Sequence, residues 1–301
     1  MLPPSPSLVA ATLYAGAAFT LIARARRGPL VSFGLVADVQ GGDKPDTGSE
    51  GRVQRFRAAQ AKLGAAVDHW RGVGLQCVVS LGDIVDGGDD IDSTRRARDG
   101  MLSEFNRLEC ASHHVIGNHC LKYAPRAELL EALGLERAYY TVDLAPGWRL
   151  IVLDTTDLSV PSNPAYCGWA EGTEELAAAR AFLAEYEGEA RMRTWNGGVG
   201  AAQLTWLRDQ LERAEAESTR LIVASHHALA PGSCRETHRA WNGDEVAELL
   251  CSYRAFALAL AGHDHVRAYL CAARAPSVLR ELPAVAGGRA RRLAREAVRD
   301  C

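Results

Sequence analysis

The chain has 301 residues, 48% apolar and 24% charged, enough to bury a large core and to exclude a protein that is disordered throughout. A net charge of −3 leaves no general attraction to nucleic acid or anionic membranes, so nucleic acid is not expected as a partner. The eight cysteines are scattered with no Cys-x-x-Cys pair, which argues for free thiols in a reducing compartment and against a disulfide framework or thiolate zinc site.

The amino end is apolar from Leu8 to Ile22 and is followed by Ala-Arg-Ala-Arg-Arg, with no acidic residue before Asp38. The run is shorter than the roughly 20 residues that span a bilayer, and its positive charge follows the apolar part, unlike a secretory signal. Residues 1–30 are therefore set apart from the fold. A cytoplasmic protein is expected, with organelle targeting or a short membrane anchor as alternative roles for that segment.

Leu30 to Val39 reads as a buried strand ending in Ala37-Asp38-Val39-Gln40, and a Gly-rich loop follows. Arg52 to Gly72 has helical spacing, with Phe56, Leu63, Val67 and Trp70 on one face. Leu75 to Leu81 is a second strand, stopping at Gly82-Asp83. Ser93 to Leu108 is helical, and His113 to Ile116 is a short strand that stops at Gly117-Asn118-His119. A helix over Glu128 to Leu133 and a strand over Ala138 to Val142 lead to the strand Trp148 to Asp154. Glu174 to Met192 and Gln203 to Ser218 are helices separated by the loop Trp195-Asn196-Gly197-Gly198. Leu221 to Ser225 is a strand running into His226-His227. A helix over Asp244 to Tyr253 and a strand over Phe256 to Leu260 close the series at Gly262-His263-Asp264-His265. Strands alternate with helices, which predicts an α/β architecture. The domain expected spans 31–269, and residues 270–301 form a divergent Ala- and Arg-rich tail.

Five of the strands end in Asp, Asn, Gln or His: Asp38 and Gln40, Asp83, Asn118 and His119, His226, and His263 with His265. Any one of these is an ordinary turn, cap or core residue. Together, at the carboxyl ends of successive strands, they form a set of oxygen and imidazole donors suited to Mn²⁺, Fe²⁺ or Zn²⁺ rather than to a soft metal. Six or seven donors exceed the needs of one ion and match two that share a carboxylate. Two ions about 3.5–4 Å apart can clamp a phosphoryl group, so phosphoester hydrolysis is the expected chemistry.

The series Asp38-x-Gln40, Gly82-Asp83-x-x-Asp86-Gly87, Gly117-Asn118-His119, Ser225-His226 and Gly262-His263-Asp264-His265 resembles the calcineurin-like metallophosphoesterase superfamily. Gln40, where most members carry histidine, and the stretches at 153–160, 195–207 and 240–242 resemble its manganese-dependent ADP-ribose/CDP-alcohol diphosphatase branch. The resemblance runs from about residue 31 to 268. It implies a four-layer α/β/β/α sandwich and two divalent ions, Mn²⁺ first, with Mg²⁺, Fe²⁺ and Zn²⁺ as alternatives. By the same resemblance Asp38, Gln40, Asp83 and His265 hold one ion, and Asp83, Asn118, His226 and His263 the other. His119 would stand beside the phosphoryl group as the catalytic residue, while hydroxide held by the ions attacks phosphorus in line. Trp195, Asn196, Gly197, Trp241 and Asn242 are the expected nucleotide contacts. The implied partner is a small nucleotide diphosphate, acted on by a monomer with no established membrane association.

Three departures from the family stand out. Cys120 replaces the acid that usually follows Gly-Asn-His and could orient His119, while Asp86 and Gly87 are expected only to shape their loop. The loop from Gln40 to Arg52 has no aromatic residue. Past Tyr269 the family's further strands are not recognisable, which predicts missing carboxyl-terminal strands and an exposed sheet edge. The donor set also admits a cyclic-nucleotide phosphodiesterase, a phosphomonoesterase, or a non-catalytic scaffold that keeps the fold.

Overall fold

The computed structural model describes residues 8–12, 18–25, 28–49, 52–122, 124–160, 173–266 and 268–272. In chain order the elements are β1 (Leu8–Thr12), β2 (Ala18–Ala25), β3 (Gly28–Val36), β4 (Thr47–Ser49), β5 (Arg52–Gln54), α1 (Ala59–Arg71), β6 (Cys77–Ser80), α2 (Ile91–Phe105) and β7 (Ala111–His114). They continue with α3 (Arg126–Ala132), β8 (Tyr140–Ala145), β9 (Trp148–Val152), β10 (Leu158–Ser159), α4 (Glu174–Glu185), β11 (Gly197–Gly198), α5 (Ala201–Ala216), β12 (Arg220–Ser225), α6 (Gly243–Cys251), β13 (Phe256–Ala261) and β14 (Ala268–Ala272).

Alternating side chains sort these elements into layers. On β3 and β6, Phe33, Leu35, Cys77 and Val79 face one way and pack with Leu150 and Val152 of β9 and Ile222 and Ala224 of β12. Their neighbours Val36 and Val78 face the other way, onto Leu63, Val67 and Trp70 of α1 and Met101 and Phe105 of α2. On the far side, Ile151, Leu221 and Val223 pack against Leu207 and Leu211 of α5 and Val246 and Leu250 of α6. A period of two on strands buried on both faces leaves no other arrangement. The result is the expected order of helices, sheet, sheet, helices.

One sheet has the order β2-β3-β6-β7 and the other β14-β1-β13-β12-β9-β8. β3, β6 and β7 run parallel, as do β1, β13, β12 and β9, so each sheet gathers its carboxyl ends along one edge. The amino-terminal segment, set apart in the sequence reading, supplies β1 beside β13 and β2 antiparallel to β3. Missing carboxyl-terminal strands and an exposed sheet edge were expected; instead β1 lies beside β13 and a further carboxyl-terminal strand, β14, pairs with β1 at the edge. The β1–β13 pairing joins residues far apart in sequence, whereas β2 and β3 form a hairpin of neighbouring strands, and a short apolar run announces neither. The tail past Ala272 lies outside the described residues.

Two helices are shorter than expected. The stretch from Arg52 first forms β5, so α1 begins at Ala59. The helix expected to reach Met192 ends at Glu185, before the chain turns through Gly188 at a φ of 96°. Among the described residues no helix is long and apolar enough to cross a membrane.

Candidate metal centre

The expected donors all follow strand ends: Asp38 and Gln40 after β3, Asp83 after β6, Asn118 and His119 after β7, His226 after β12, and His263 and His265 after β13. The two sheets meet at these loops. Across the gap His226 Nδ1 donates to the Leu81 carbonyl at 2.8 Å, and the His263 N–H reaches both Asp38 oxygens at 2.9 and 3.1 Å.

The backbone here is unusual. Asp38, Gln40, Asp83, His263 and His265 all have φ between 51° and 71°, and among the described residues Ser218 is the only other non-glycine with positive φ. Each left-handed residue costs about 1–3 kcal/mol and persists only where its surroundings enforce it. The enforcement is visible: Asp38 N–H donates to Gly82 O at 3.1 Å and Gln40 N–H to Asp83 O at 2.8 Å, prolonging the β3–β6 pairing past the strands. Gly82, at φ 97°, has no alternative residue, because a Cβ there would lie 2.7 Å from His226 Nδ1. At Gly117 a Cβ would fall 2.1 Å from Asp83 Oδ1.

Asp83 is 1% exposed. Its Oδ1 accepts the His119 N–H at 2.8 Å, while Oδ2 is buried without a hydrogen bond, 3.3 Å from His226 Nε2. Because the Leu81 carbonyl takes the Nδ1 proton of His226, Nε2 is left facing Asp83 Oδ2 and, at 3.0 Å, Asn118 Oδ1. Burial opposes charge on both groups. The facing partners outweigh it, raising the His226 pKa to about 9 and holding the Asp83 carboxyl well below the usual carboxylate range. A ring nitrogen and two oxygens so placed need positive charge among them, which a proton or a divalent ion can supply. This fits the expected metal. Asp38, Asp83 and His226 bring ligand atoms within 4.8 Å of one another, and His265 Nε2 stands 3.3 Å from Asp38 Oδ1. The Gln40 side-chain oxygen Oε1 accepts from Gln54 Nε2 at 2.8 Å and keeps a second lone pair.

His227 also lies within ligand distance of His226 and His263, but both of its ring nitrogens are engaged. Nδ1 pairs with Thr155 Oγ1 at 2.8 Å and Nε2 donates to the Trp195 carbonyl at 3.3 Å. Burial lowers its pKa to about 3, so it stays neutral.

His119 was expected to lose its orienting carboxylate to Cys120. Cys120 is buried, its thiol pushed up to about 12 by desolvation, and the carboxylate comes from elsewhere. Asp86 Oδ1 lies 2.6 Å from His119 Nδ1, out of line for a hydrogen bond but in direct contact, and its other oxygen pairs with Lys44. Asp86 therefore does more than shape its loop. The spacing Asp83-x-x-Asp86 was the available signal, since it brings the second acid back toward the first.

A cavity of about 520 Å³ opens over this centre and is lined by Asp38, Gln40, Asp83, Asn118, His119, His263 and His265 at one end. Phe56 supplies the aromatic that the preceding loop lacks, and Val53, Arg55, Lys62, Trp195, Arg235 and His238 also line the cavity. Trp195, 45% exposed, is held by its indole N–H to the Thr237 carbonyl at 3.1 Å.

The remaining expected nucleotide contacts are placed differently. Asn196 is buried, its amide donating to the carbonyls of Arg191 and Thr237 while Oδ1 accepts from His263 Nε2 at 2.9 Å, so it orients an imidazole. Gly197 is buried in the β10–β11 pair and accepts the Trp241 N–H. Trp241 is fully buried, with its indole N–H on the Arg193 carbonyl, and Asn242 bridges the Val199 N–H and carbonyl. These residues brace the loop that carries Trp195.

Four layers, with oxygen and imidazole donors gathered where the two sheets meet, define a phosphoesterase of the dimetal kind. The calcineurin-like phosphoesterase family model matches residues 31–267, and the chain belongs to that family. Among curated relatives it is 35% identical to a manganese-dependent ADP-ribose/CDP-alcohol diphosphatase of Oryza sativa subsp. japonica, over 79% of this chain and 78% of that one. It is 35% identical to the protein of the same name from Arabidopsis thaliana, over 81% and 83%. A solved dimetal phosphatase from Danio rerio superimposes with a TM-score of 0.69 at 29% identity, covering 79% of this chain and 82% of that one.

Proposed function

We propose that the protein is a dimetal hydrolase cleaving the diphosphate bond of ADP-ribose, CDP-alcohols or related nucleotides into a nucleoside monophosphate and a second phosphomonoester. The observation that carries this is the buried, unpartnered Asp83 Oδ2 at the meeting of both sheets, facing His226 Nε2 beneath a cavity large enough for a nucleotide. The names of the relatives supply the substrate class.

In this reading Asp38, Gln40, Asp83 and His265 hold one ion, and Asp83, Asn118, His226 and His263 the other, with Asp83 common to both. Two divalent ions, Mn²⁺ first among them, would polarise the phosphoryl oxygens and acidify the water that attacks. His119 stands at the cavity wall, kept in place by Asp86, where it can give a proton to the departing oxygen or hold developing negative charge. Trp195 offers an indole face for a base at the rim. Asn196 acts through His263 and does not touch the nucleotide.

Turnover of ADP-ribose, CDP-choline, cyclic AMP and p-nitrophenyl phosphate, each with Mn²⁺ and with Mg²⁺, tests the reading. The two diphosphates are expected to turn over fastest with Mn²⁺. Untouched diphosphates beside a rapidly cleaved monoester would reject the substrate class.

A further inference from the structure

Asp264 sits between His263 and His265, is 1% exposed, and is not one of the donors. With His238 Nδ1 3.7 Å from Oδ1 as a second, looser neighbour, its carboxylate is held by hydrogen bonds from Arg235. Arg235 reaches it three ways: backbone N–H to Oδ2 at 2.8 Å, Nε to Oδ1 at 2.5 Å, and Nη2 to the Asp264 carbonyl at 3.0 Å. Nη2 also stands 3.4 Å from His238 Nε2. Despite this anchoring the Arg235 side chain is 48% exposed and lines the cavity. One edge of the guanidinium is therefore fixed to the strand exit that bears two donors, while Nη1 has no bond in this set.

The position along the cavity matters. The His263 ring lies 5.3 Å from His238, and His238 lies 6.3 Å from Trp195, so these rings mark a path from the donors to the exposed indole. Arg235 touches that path at His238. The pair with Asp264 is neutral overall, so what it offers is oriented N–H groups rather than a diffuse field; a guanidinium suits a phosphate in that role. Arg55 and Lys62, which also line the cavity, are exposed, and among the described residues neither is anchored in this way. Arg235 lines the same cavity as the donors, and only a diphosphate brings a second phosphate that can reach it there.

We infer that Arg235 is the specificity residue that selects diphosphates over monophosphates by holding the phosphate that is not attacked. This rests on the hydrolase reading above. Its test is binding: calorimetry on the Mn²⁺-loaded protein with the non-hydrolysable α,β-methylene-ADP and with AMP, for the wild type, Arg235→Lys and Arg235→Gln. Loss of a charge-assisted contact predicts about tenfold or weaker binding of the methylene diphosphate to Arg235→Gln, with AMP affected less than about twofold. Arg235→Lys, which keeps a cation beside buried Asp264, is expected to fold like the wild type and to fall between. Equal weakening of both ligands in Arg235→Lys, or no weakening of the diphosphate in either variant, overturns the inference. If the wild type neither binds the diphosphate analogue nor cleaves ADP-ribose, the hydrolase reading fails first, and that outcome is distinct.

Discussion

The two sheets contribute unlike halves to one site. The four-stranded sheet brings oxygens, from Asp38, Gln40, Asp83 and Asn118, and the six-stranded sheet brings the imidazoles of His226, His263 and His265. The oxygen half is placed by backbone: three of its four members are left-handed, locked by hydrogen bonds between the β3 and β6 loops. The imidazole half shares the left-handed backbone at His263 and His265 but leans in addition on distant ring partners, Leu81 O for His226 and Asn196 for His263, which fix the tautomer and the ring plane. The halves should therefore fail differently, one losing charge and the other losing orientation.

Asp83→Asn strikes the oxygen half hardest. It keeps the shape and the left-handed tolerance but removes the charge both ions would share. Activity should drop on the order of 10³-fold, with metal content falling alongside it in elemental analysis. Wild-type metal content and rate in that variant would refute the bridging role.

Asn196→Ala probes the imidazole half without touching a donor. Freeing the His263 ring should weaken metal affinity by about 10–100-fold in a Mn²⁺ titration, while the rate at saturating Mn²⁺ recovers most of its value. A loss that saturating metal does not restore would erase the contrast between the halves.

The smallest effect joins them. In the chelated protein the raised His226 pKa gives stability that is complete below about pH 6.5 and is lost as pH rises through about 9. The depressed Asp83 carboxyl gives stability present above about pH 4 and lost on further acidification. The contribution of this pair to the melting temperature without metal should thus be greatest between those limits and slip by a few degrees toward pH 9, while His227 and His263, held neutral by burial, oppose it below about pH 6.5. His226→Gln should flatten the alkaline decline; an unchanged slope would show that the pair is not coupled.

Much of this was legible in the chain. Apolar runs interrupted by Gly-Asp, Gly-Asn-His and Gly-His-Asp-His revealed the strand exits, because a buried strand and its end both leave local marks. What stayed hidden depends on contacts through space. The partnership of His119 with Asp86, the service of Asn196 to His263 and the burial of Trp241 are set by where loops meet. A tryptophan reads alike in a core and on a cavity wall: Trp195 and Trp241 were given one role, and the structure puts the first at the rim and the second inside. β1 is hidden because its partner β13 lies far away along the chain, and β2, which forms a hairpin with β3, because a short apolar run with a basic end reads equally as a targeting segment.

The left-handed donors carry a consequence for what the ions are needed for. Their shape is imposed by bonds within the protein, between Gln40 and Asp83, Asp38 and Gly82, His263 and Asp38, none of which waits for an ion. A small zinc domain acquires its fold together with its metal. Here the donor loops are tied by bonds between parts of the protein itself, so removing the ions is expected to cost activity before it costs the fold.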